Sequence, residues 1–293
     1  MTTNEEAVPL ADALRGAADV LQSAGVPDPV VDAELLIAYV LGPDVSRGEV
    51  RAALFRGDRL SSAQHQGLRA ALVRRAGREP LQHITGLAPF RHLTLRVGPG
   101  VFVPRPETET VAQLAIDALR AVADPAPIAV DLGTGSGAIA LAMATEVPHA
   151  RVHAVEKSAD ALAWTRRNVD AIAPEVDLRH GDLADAFGDL DGRVSVVASN
   201  PPYIPTGAVP REEEVRLHDP ELALYGGDDG LDVVRVISTV GLRLARSGGV
   251  IVLEHGEEQG PAIRELLTAD GWLGASTHPD LTTRDRATTA LRP

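Results

Sequence analysis

The chain has 293 residues and no cysteine, which excludes disulfides and thiolate metal sites. No apolar run approaches the roughly 20 residues that a membrane-spanning helix requires, so no membrane partner is expected. The N-terminal MTTNEEAVPL lacks the basic and apolar regions of a signal peptide, and the expected location is cytoplasmic. Positive charge is also scarce: the net charge is −13. Residues 1–80 hold 9 Arg against 11 Asp and Glu, which leaves 19 basic against 30 acidic groups for residues 81–293. A protein that grips bare nucleic acid usually carries a basic footprint, so no direct nucleic-acid partner is expected.

What is present is first a helical N-terminal stretch. Leu10, Ala13, Leu14, Ala17, Ala18 and Leu21 recur at helical spacing. Ala33, Leu35, Leu36, Ala38, Tyr39 and Val40 form a second apolar helix, and Ser61 with Gln64 has the spacing of a capping box. Residues 1–79 thus read as a small helical bundle, and 80–110 as a linker containing a strand or hairpin at Phe90–Val97. From 111 to 293 strands and helices alternate. Strands are expected at Ile128–Leu132, Arg151–Val155, Val176–Arg179, Val194–Ser199 and Val250–Glu254, which implies an α/β domain with a parallel sheet wound on both faces.

Two loops at strand ends carry the chemistry. Asp131-Leu132-Gly133-Thr134-Gly135-Ser136-Gly137 would join the first strand to a helix, where glycine lets backbone turn tightly beside a ligand. Glu156 closes the second strand and can accept the hydroxyl hydrogens of a ribose; Asp182 follows the third and can receive an adenine amino group. A nicotinamide site shares the glycine loop and the acid, so these two features leave the cofactor open. The spacing here is Gly-x-Gly-x-Gly rather than the Gly-x-Gly-x-x-Gly of dinucleotide binders.

The second loop is Asn200-Pro201-Pro202-Tyr203, after the apolar run Val194–Ser199. The prolines fix their own φ and hold the preceding residues extended. The Asn200 side-chain oxygen and the Pro201 carbonyl can both accept from one NH₂ group, and Tyr203 can lie against a planar amide. An amide nitrogen is a poor nucleophile because its lone pair is delocalised. Two acceptors orient it and favour the positive charge that develops during methyl transfer. Arg105 and Glu107, in Val103-Pro104-Arg105-Pro106-Glu107-Thr108-Glu109, are candidate substrate contacts. The histidines are scattered, so no metal is expected.

These motifs, together with Pro80-Leu81-Gln82-His83-Ile84-Thr85-Gly86, Gly226–Asp232 and Leu253-Glu254-His255-Gly256, occur in one order over nearly the whole chain. The chain thereby resembles the peptide chain release factor N5-glutamine methyltransferases, the PrmC/HemK family. The resemblance implies a seven-stranded Rossmann-like class I methyltransferase domain preceded by a helical bundle that docks the substrate. It implies S-adenosyl-L-methionine as cosubstrate and class I release factors as partners, methylated on the glutamine of a Gly-Gly-Gln motif. Carried over, Gly133, Thr134, Gly135, Ser136, Gly137, Glu156, Asp182, Leu183 and Asn200 bind the donor. Asn200, Pro201, Pro202 and Tyr203 hold the glutamine, with Asn200, Pro201 and Tyr203 as the catalytic residues. Ser195 and Leu183 depart from residues common in relatives, and Asp280–Arg286 lacks the usual Gly before Arg284. The rivals are a glutamine methyltransferase of a ribosomal protein, a nucleic-acid amino-group methyltransferase, and a non-catalytic donor-binding scaffold.

Overall fold

The computed structural model describes residues 7–293; the first six residues, part of the segment without a signal-peptide pattern, lie outside the described residues. The chain divides into two compact units. One comprises the chain up to Gly86 together with Arg211–His218; the other comprises Leu87–Pro210 and Asp219–Pro293. No helix among the described residues is long and apolar enough to cross a membrane.

The first unit is helical. A two-residue strand β1 (Val8–Pro9) pairs antiparallel with β2 (Arg59–Leu60), and around them lie α1 (Leu10–Ser23), α2 (Pro29–Leu41), α3 (Arg47–Arg56), α4 (Ser62–Ala76) and α5 (Leu81–Thr85). Leu10, Ala13, Ala17 and Leu21 of α1 enter the core, as their spacing predicts, while Leu14 and Ala18 are half-buried at its margin. On α2 the core positions are Ala33, Leu36, Ile37 and Ala38; Tyr39 is exposed instead of buried. The capping box at α4 is complete, with Ser61 Oγ accepting from Gln64 N–H at 3.2 Å and Gln64 Oε1 from Ser61 N–H at 2.9 Å. Ser46 and Glu49 cap α3 in the same way. Each such cap is worth about 1 kcal/mol.

Buried charge also organises this unit. Arg75 is buried between Asp32, at 2.6 Å, and Glu214, at 3.0 Å. Arg78 adds a second bond to Glu214 at 2.8 Å. Burial raises the carboxyl pKa of Glu214, but its hydrogen bonds with backbone, Arg78 and Arg75 outweigh this and hold it below the usual range. Glu214 is how the short segment Arg211–His218 joins a unit formed otherwise by the first 86 residues.

The second unit opens with a hairpin, β3 (Leu87–Phe90) and β4 (Leu93–Arg96), and α6 (Thr108–Arg120). Then follow β5 (Ile128–Leu132), α7 (Ala138–Glu146), β6 (Arg151–Glu156), α8 (Ala159–Ile172), β7 (Asp177–His180) and β8 (Val194–Ser199). After α9 (Glu213–His218), which belongs to the helical unit, come α10 (Asp232–Leu244), β9 (Ala245–Glu254), α11 (Gly260–Asp270), β10 (Leu273–Pro279) and β11 (Asp285–Leu291). The strands form one seven-stranded sheet in the order β10-β11-β9-β8-β5-β6-β7. Every residue of β5 and β8 is buried, as expected of central strands covered on both faces. Alternate residues serve two cores: Ala129, Val196 and Ala198 pack with α6 and α7, and Val130, Val197 and Ile251 pack with α10 and α11. Helix α7 is buried from Ala138 to Ala144, which is why its sequence is apolar all round.

The sheet is mixed, not parallel throughout. Five strands run parallel, but β11 pairs antiparallel with both β9 and β10. The cause is the short connection from β10 to β11, which cannot carry a parallel crossover. In that turn Asp280 Oδ1 accepts from the Thr282 and Arg284 N–H groups, and Thr283 has φ 69°. A β-branched residue is strained there, and this is the position that lacks glycine before Arg284.

Candidate active site

The parallel pairing of β8, β5, β6 and β7 brings the predicted loops to one end of the sheet. Asp131 of β5 lies opposite Ala198 of β8 and Ala154 of β6, and Glu156 of β6 lies opposite His180 of β7. The loops after these strands are therefore neighbours, at the carboxyl edge where open α/β sheets bind ligands. Ser199 Oγ donates to the Leu132 carbonyl at 2.6 Å and pins the first loop's root to the second's.

The glycine loop is set by its own backbone. Gly133, Gly135 and Gly137 have φ of 74°, 58° and 89°, each a conformation costing other residues about 1–2 kcal/mol. A Cβ at Gly133 or Gly135 would meet nothing within 4 Å, so the loop borders open space on that side. The N–H groups of Gly133 and Thr134 both donate to the Val155 carbonyl at 3.0 Å. Thr165 donates to the Gly135 carbonyl, and Asn168 to that of Ser136 at 2.9 Å. Thr165 and Asn168, both buried on α8, are supports that the sequence pattern does not reveal.

Two carboxylates frame this loop. Glu156 is buried, with Oε2 accepting from Gly135 N–H at 2.8 Å and Oε1 from Ser158 N–H at 2.7 Å. Asp131 lies beneath the loop, where Oδ2 accepts from the Thr134 hydroxyl at 2.6 Å and Ala140 N–H at 3.1 Å. Burial pushes the Asp131 carboxyl up to about 7 against those two bonds, with the Glu156 charge adding to the rise. Its Oδ1 is buried without a hydrogen-bond partner among the described residues. Asp182 caps a short turn, accepting from Ala184 N–H at 3.0 Å and pairing with Lys157 at 2.9 Å. Leu183 packs its side chain against the core on the α10 side of the sheet.

The Asn200–Tyr203 loop is set from outside. Pro201 is buried, and among the described residues no backbone N–H donates to its carbonyl. Gln259 Nε2 donates to the Tyr203 carbonyl at 2.9 Å, while Gln259 Oε1 accepts from Gly256 N–H at 2.8 Å. The Gly226–Gly230 turn packs directly on the loop: a Cβ at Gly226 would overlap the Pro202 carbonyl oxygen, and one at Gly230 that of Tyr203. Ile204 N–H donates to Leu224 O, and Gly226 N–H to Ile204 O, both at 2.9 Å. Asn200 Nδ2 reaches Thr108 Oγ1 at 3.3 Å. Burial, with the nearby Glu254 charge, pushes the Tyr203 hydroxyl pKa upward, so the ring stays neutral.

The remaining predicted residues occupy the start of α6. Arg105 pairs with Asp219 at 3.0 Å and stacks on Phe102 at 5.1 Å. Glu107 is the residue preceding α6 and adds negative charge beside Tyr203 and Glu254. Glu109 accepts from Arg91 N–H at 2.8 Å, which ties α6 to the β3–β4 turn.

The chain matches two family descriptions, the PrmC N-terminal domain over residues 12–86 and the methyltransferase small domain over residues 92–212. A release factor glutamine methyltransferase of Streptomyces coelicolor is 54% identical over 274 residues, spanning 93% of this chain and 94% of that one. A 4-amino-L-phenylalanine/4-methylamino-L-phenylalanine methyltransferase of Streptomyces pristinaespiralis is 42% identical over 223 residues, 75% of each chain. A methyltransferase structure from Pyrococcus furiosus shares the fold, with a TM-score of 0.50 at 19% identity over 68% of this chain and 88% of that one. With the paired loops on one sheet edge and identity running through both units, the chain belongs to the release factor glutamine methyltransferases.

Proposed function

We propose that this protein transfers a methyl group from S-adenosyl-L-methionine to the side-chain N5 of the glutamine in the Gly-Gly-Gln motif of class I release factors, in the cytoplasm. The observation that carries the reading is the juxtaposition of two loops. The parallel register of β5 and β8 sets the open glycine loop beside Asn200-Pro201-Pro202-Tyr203.

The donor side fits the residues present. Gly133–Gly137 supply a close backbone approach, and Glu156 has acceptor capacity for ribose hydroxyls. Asp182 and Leu183 stand at the neighbouring strand end for the adenine. The unpartnered Asp131 Oδ1 adds an acceptor beneath the loop. When bound, the donor supplies an electrophilic methyl on a sulfonium.

On the acceptor side, Asn200 Oδ1 and the Pro201 carbonyl take the two hydrogens of the glutamine NH₂. That orients the nitrogen and disperses the positive charge that grows on it. Tyr203, neutral and half-buried, lies against the amide plane. No strong base is needed, because the nitrogen becomes acidic once methylated and loses its proton late. Arg105 and Glu107 border the acceptor. The helical unit would dock the release factor, a large partner for one methylated atom.

The relative that acts on 4-amino-L-phenylalanine favours a second acceptor class, since the same two oxygens can hold an aromatic amine. The test is intact-protein mass spectrometry of a class I release factor after incubation with enzyme and donor. A Gly-Gly-Ala variant of the factor and free 4-amino-L-phenylalanine run alongside. One added methyl on the wild-type factor alone is expected. A methyl on the Gly-Gly-Ala variant would refute the target residue, and methylation of the free amino acid alone would refute the protein substrate.

A further inference from the structure

Glu254 ends β9, is 2% exposed, and is not used by the mechanism above. Its carboxyl lies beside Asn200, because Leu253 pairs with Ser199 in the parallel β8–β9 register, and the Thr108 and Asn200 side chains both favour its charged form. Thr108, also buried, accepts in turn from Asn200 Nδ2 at 3.3 Å. The two ends of a side-chain amide are nearly the same size, so hydrogen-bond partners decide which end points where. A threonine hydroxyl can donate or accept and cannot make that choice alone. An ionised carboxylate only accepts, and so it selects the NH₂ end.

We propose that Glu254 and Thr108 are positioning residues that lock the Asn200 amide with Nδ2 turned inward, leaving Oδ1 as the end that faces the acceptor nitrogen. This rests on Asn200 being the acceptor clamp. A flipped Asn200 would present a donor to a substrate NH₂, repelling it and losing one of the two acceptors. The arrangement is costly, since Glu254 Oε2 is buried without a hydrogen-bond partner among the described residues. A buried carboxylate beside the clamp thus has a task that packing alone does not require.

The charged and titratable groups around Glu254 are Arg286 from β11, Glu107 before α6, Tyr203 in the clamp loop, with Arg105 acting on Tyr203, and the adjacent His255. Burial lowers the His255 pKa, so that ring is neutral; it bonds the Thr288 hydroxyl at 2.9 Å. Burial pushes the Glu254 carboxyl up to about 7; the Thr108 side chain and Arg286 oppose the rise, and Glu107 adds to it. A protonated Glu254 is a donor as well as an acceptor and no longer distinguishes the ends of the Asn200 amide. Turnover at saturating donor therefore rises with pH through about 7.

The test measures kcat against pH at saturating donor and release factor, with donor Kd by calorimetry, for wild type, Glu254→Gln, Thr108→Val, Thr108→Ser and Asn200→Ala. Glu254→Gln should lower kcat by about tenfold or more and flatten the acid limb, with donor Kd within about twofold of wild type. Thr108→Val should lower kcat similarly, and Thr108→Ser should restore it. Unchanged kcat and acid limb in Glu254→Gln would overturn the assignment. If that variant does not fold, equal kcat in Thr108→Val and wild type would overturn it. Wild-type turnover in Asn200→Ala would instead mean that the clamp itself is wrong. An inactive Asn200→Ala beside fully active Glu254→Gln and Thr108→Val would remove only the positioning role.

Discussion

The two loops of the site draw their support from different parts of the chain. The glycine loop holds its shape through its own backbone and through the strand–helix unit that follows it: three left-handed glycines, the Asp131–Thr134 bond, two N–H groups on the Val155 carbonyl, and Glu156, Thr165 and Asn168. The Asn200–Tyr203 loop has two stiff prolines but relies on distant residues: Thr108, Gly226, Gly230 and Gln259. A cosubstrate common to many enzymes can be held by a loop fixed within one strand–helix–strand–helix stretch of the chain. An acceptor specific to one enzyme needs a clamp whose pose is fixed by several elements at once. Damage to one loop should accordingly leave the other's ligand nearly untouched.

The largest expected effect short of removing the clamp comes from its buttress. Gly226→Ala or Gly230→Ala should lower kcat/KM for the release factor by on the order of 10²-fold, because the new Cβ displaces the Pro202 or Tyr203 carbonyl. Donor Kd, measured by calorimetry, should not change. Equal loss of donor affinity would show that the two loops are not separable.

The complementary change is Glu156→Ala. Hydrogen bonds to charged groups are worth about 1.5–3 kcal/mol, so donor Kd should rise about 10- to 100-fold. At saturating donor, kcat should stay near wild type. An unchanged donor Kd would remove Glu156 from the donor site.

Asp131 sharpens the comparison through pH. Its pKa is about 7 in the folded protein, above the ordinary carboxyl value, so the folded state binds the proton more tightly than the unfolded state. The resulting stabilisation is complete at pH below the unfolded pKa and is lost as pH rises through about 7. Melting temperatures of Asp131→Asn should therefore vary less between pH 4 and 7 than those of wild type, leaving the similar share from Glu254. An identical pH slope in the variant would contradict this. The smallest effect lies outside both loops. Thr283→Gly relieves a left-handed threonine but adds chain entropy to the unfolded state, for a net gain of a few tenths of a kcal/mol. A lower melting temperature would refute the strain.

Much of this was legible in the sequence because it is local. Strand ends at Leu132, Glu156 and Ser199, the capping box at Ser61 and the apolar faces of α1 follow from periodicity and residue chemistry. The antiparallel β11 was not, because strand direction depends on a turn whose left-handed residue is threonine, not glycine. Asp32 and Glu214 lie 43 and 139 residues from Arg75, and no local pattern marks the three as a buried cluster. The same holds for Thr108, Glu254 and Gln259, whose neighbours in the Asn200–Tyr203 loop lie between 54 and 92 residues away in the chain.

The central claim is that Asn200 acts on the acceptor and leaves the donor to the glycine loop. Its most direct test is single-turnover methyl transfer by Asn200→Ala at saturating donor, with donor Kd measured on the same sample. A rate lowered by on the order of 10²-fold or more, at a donor Kd close to wild type, is the predicted result. A wild-type rate, or a loss explained wholly by weaker donor binding, would contradict it.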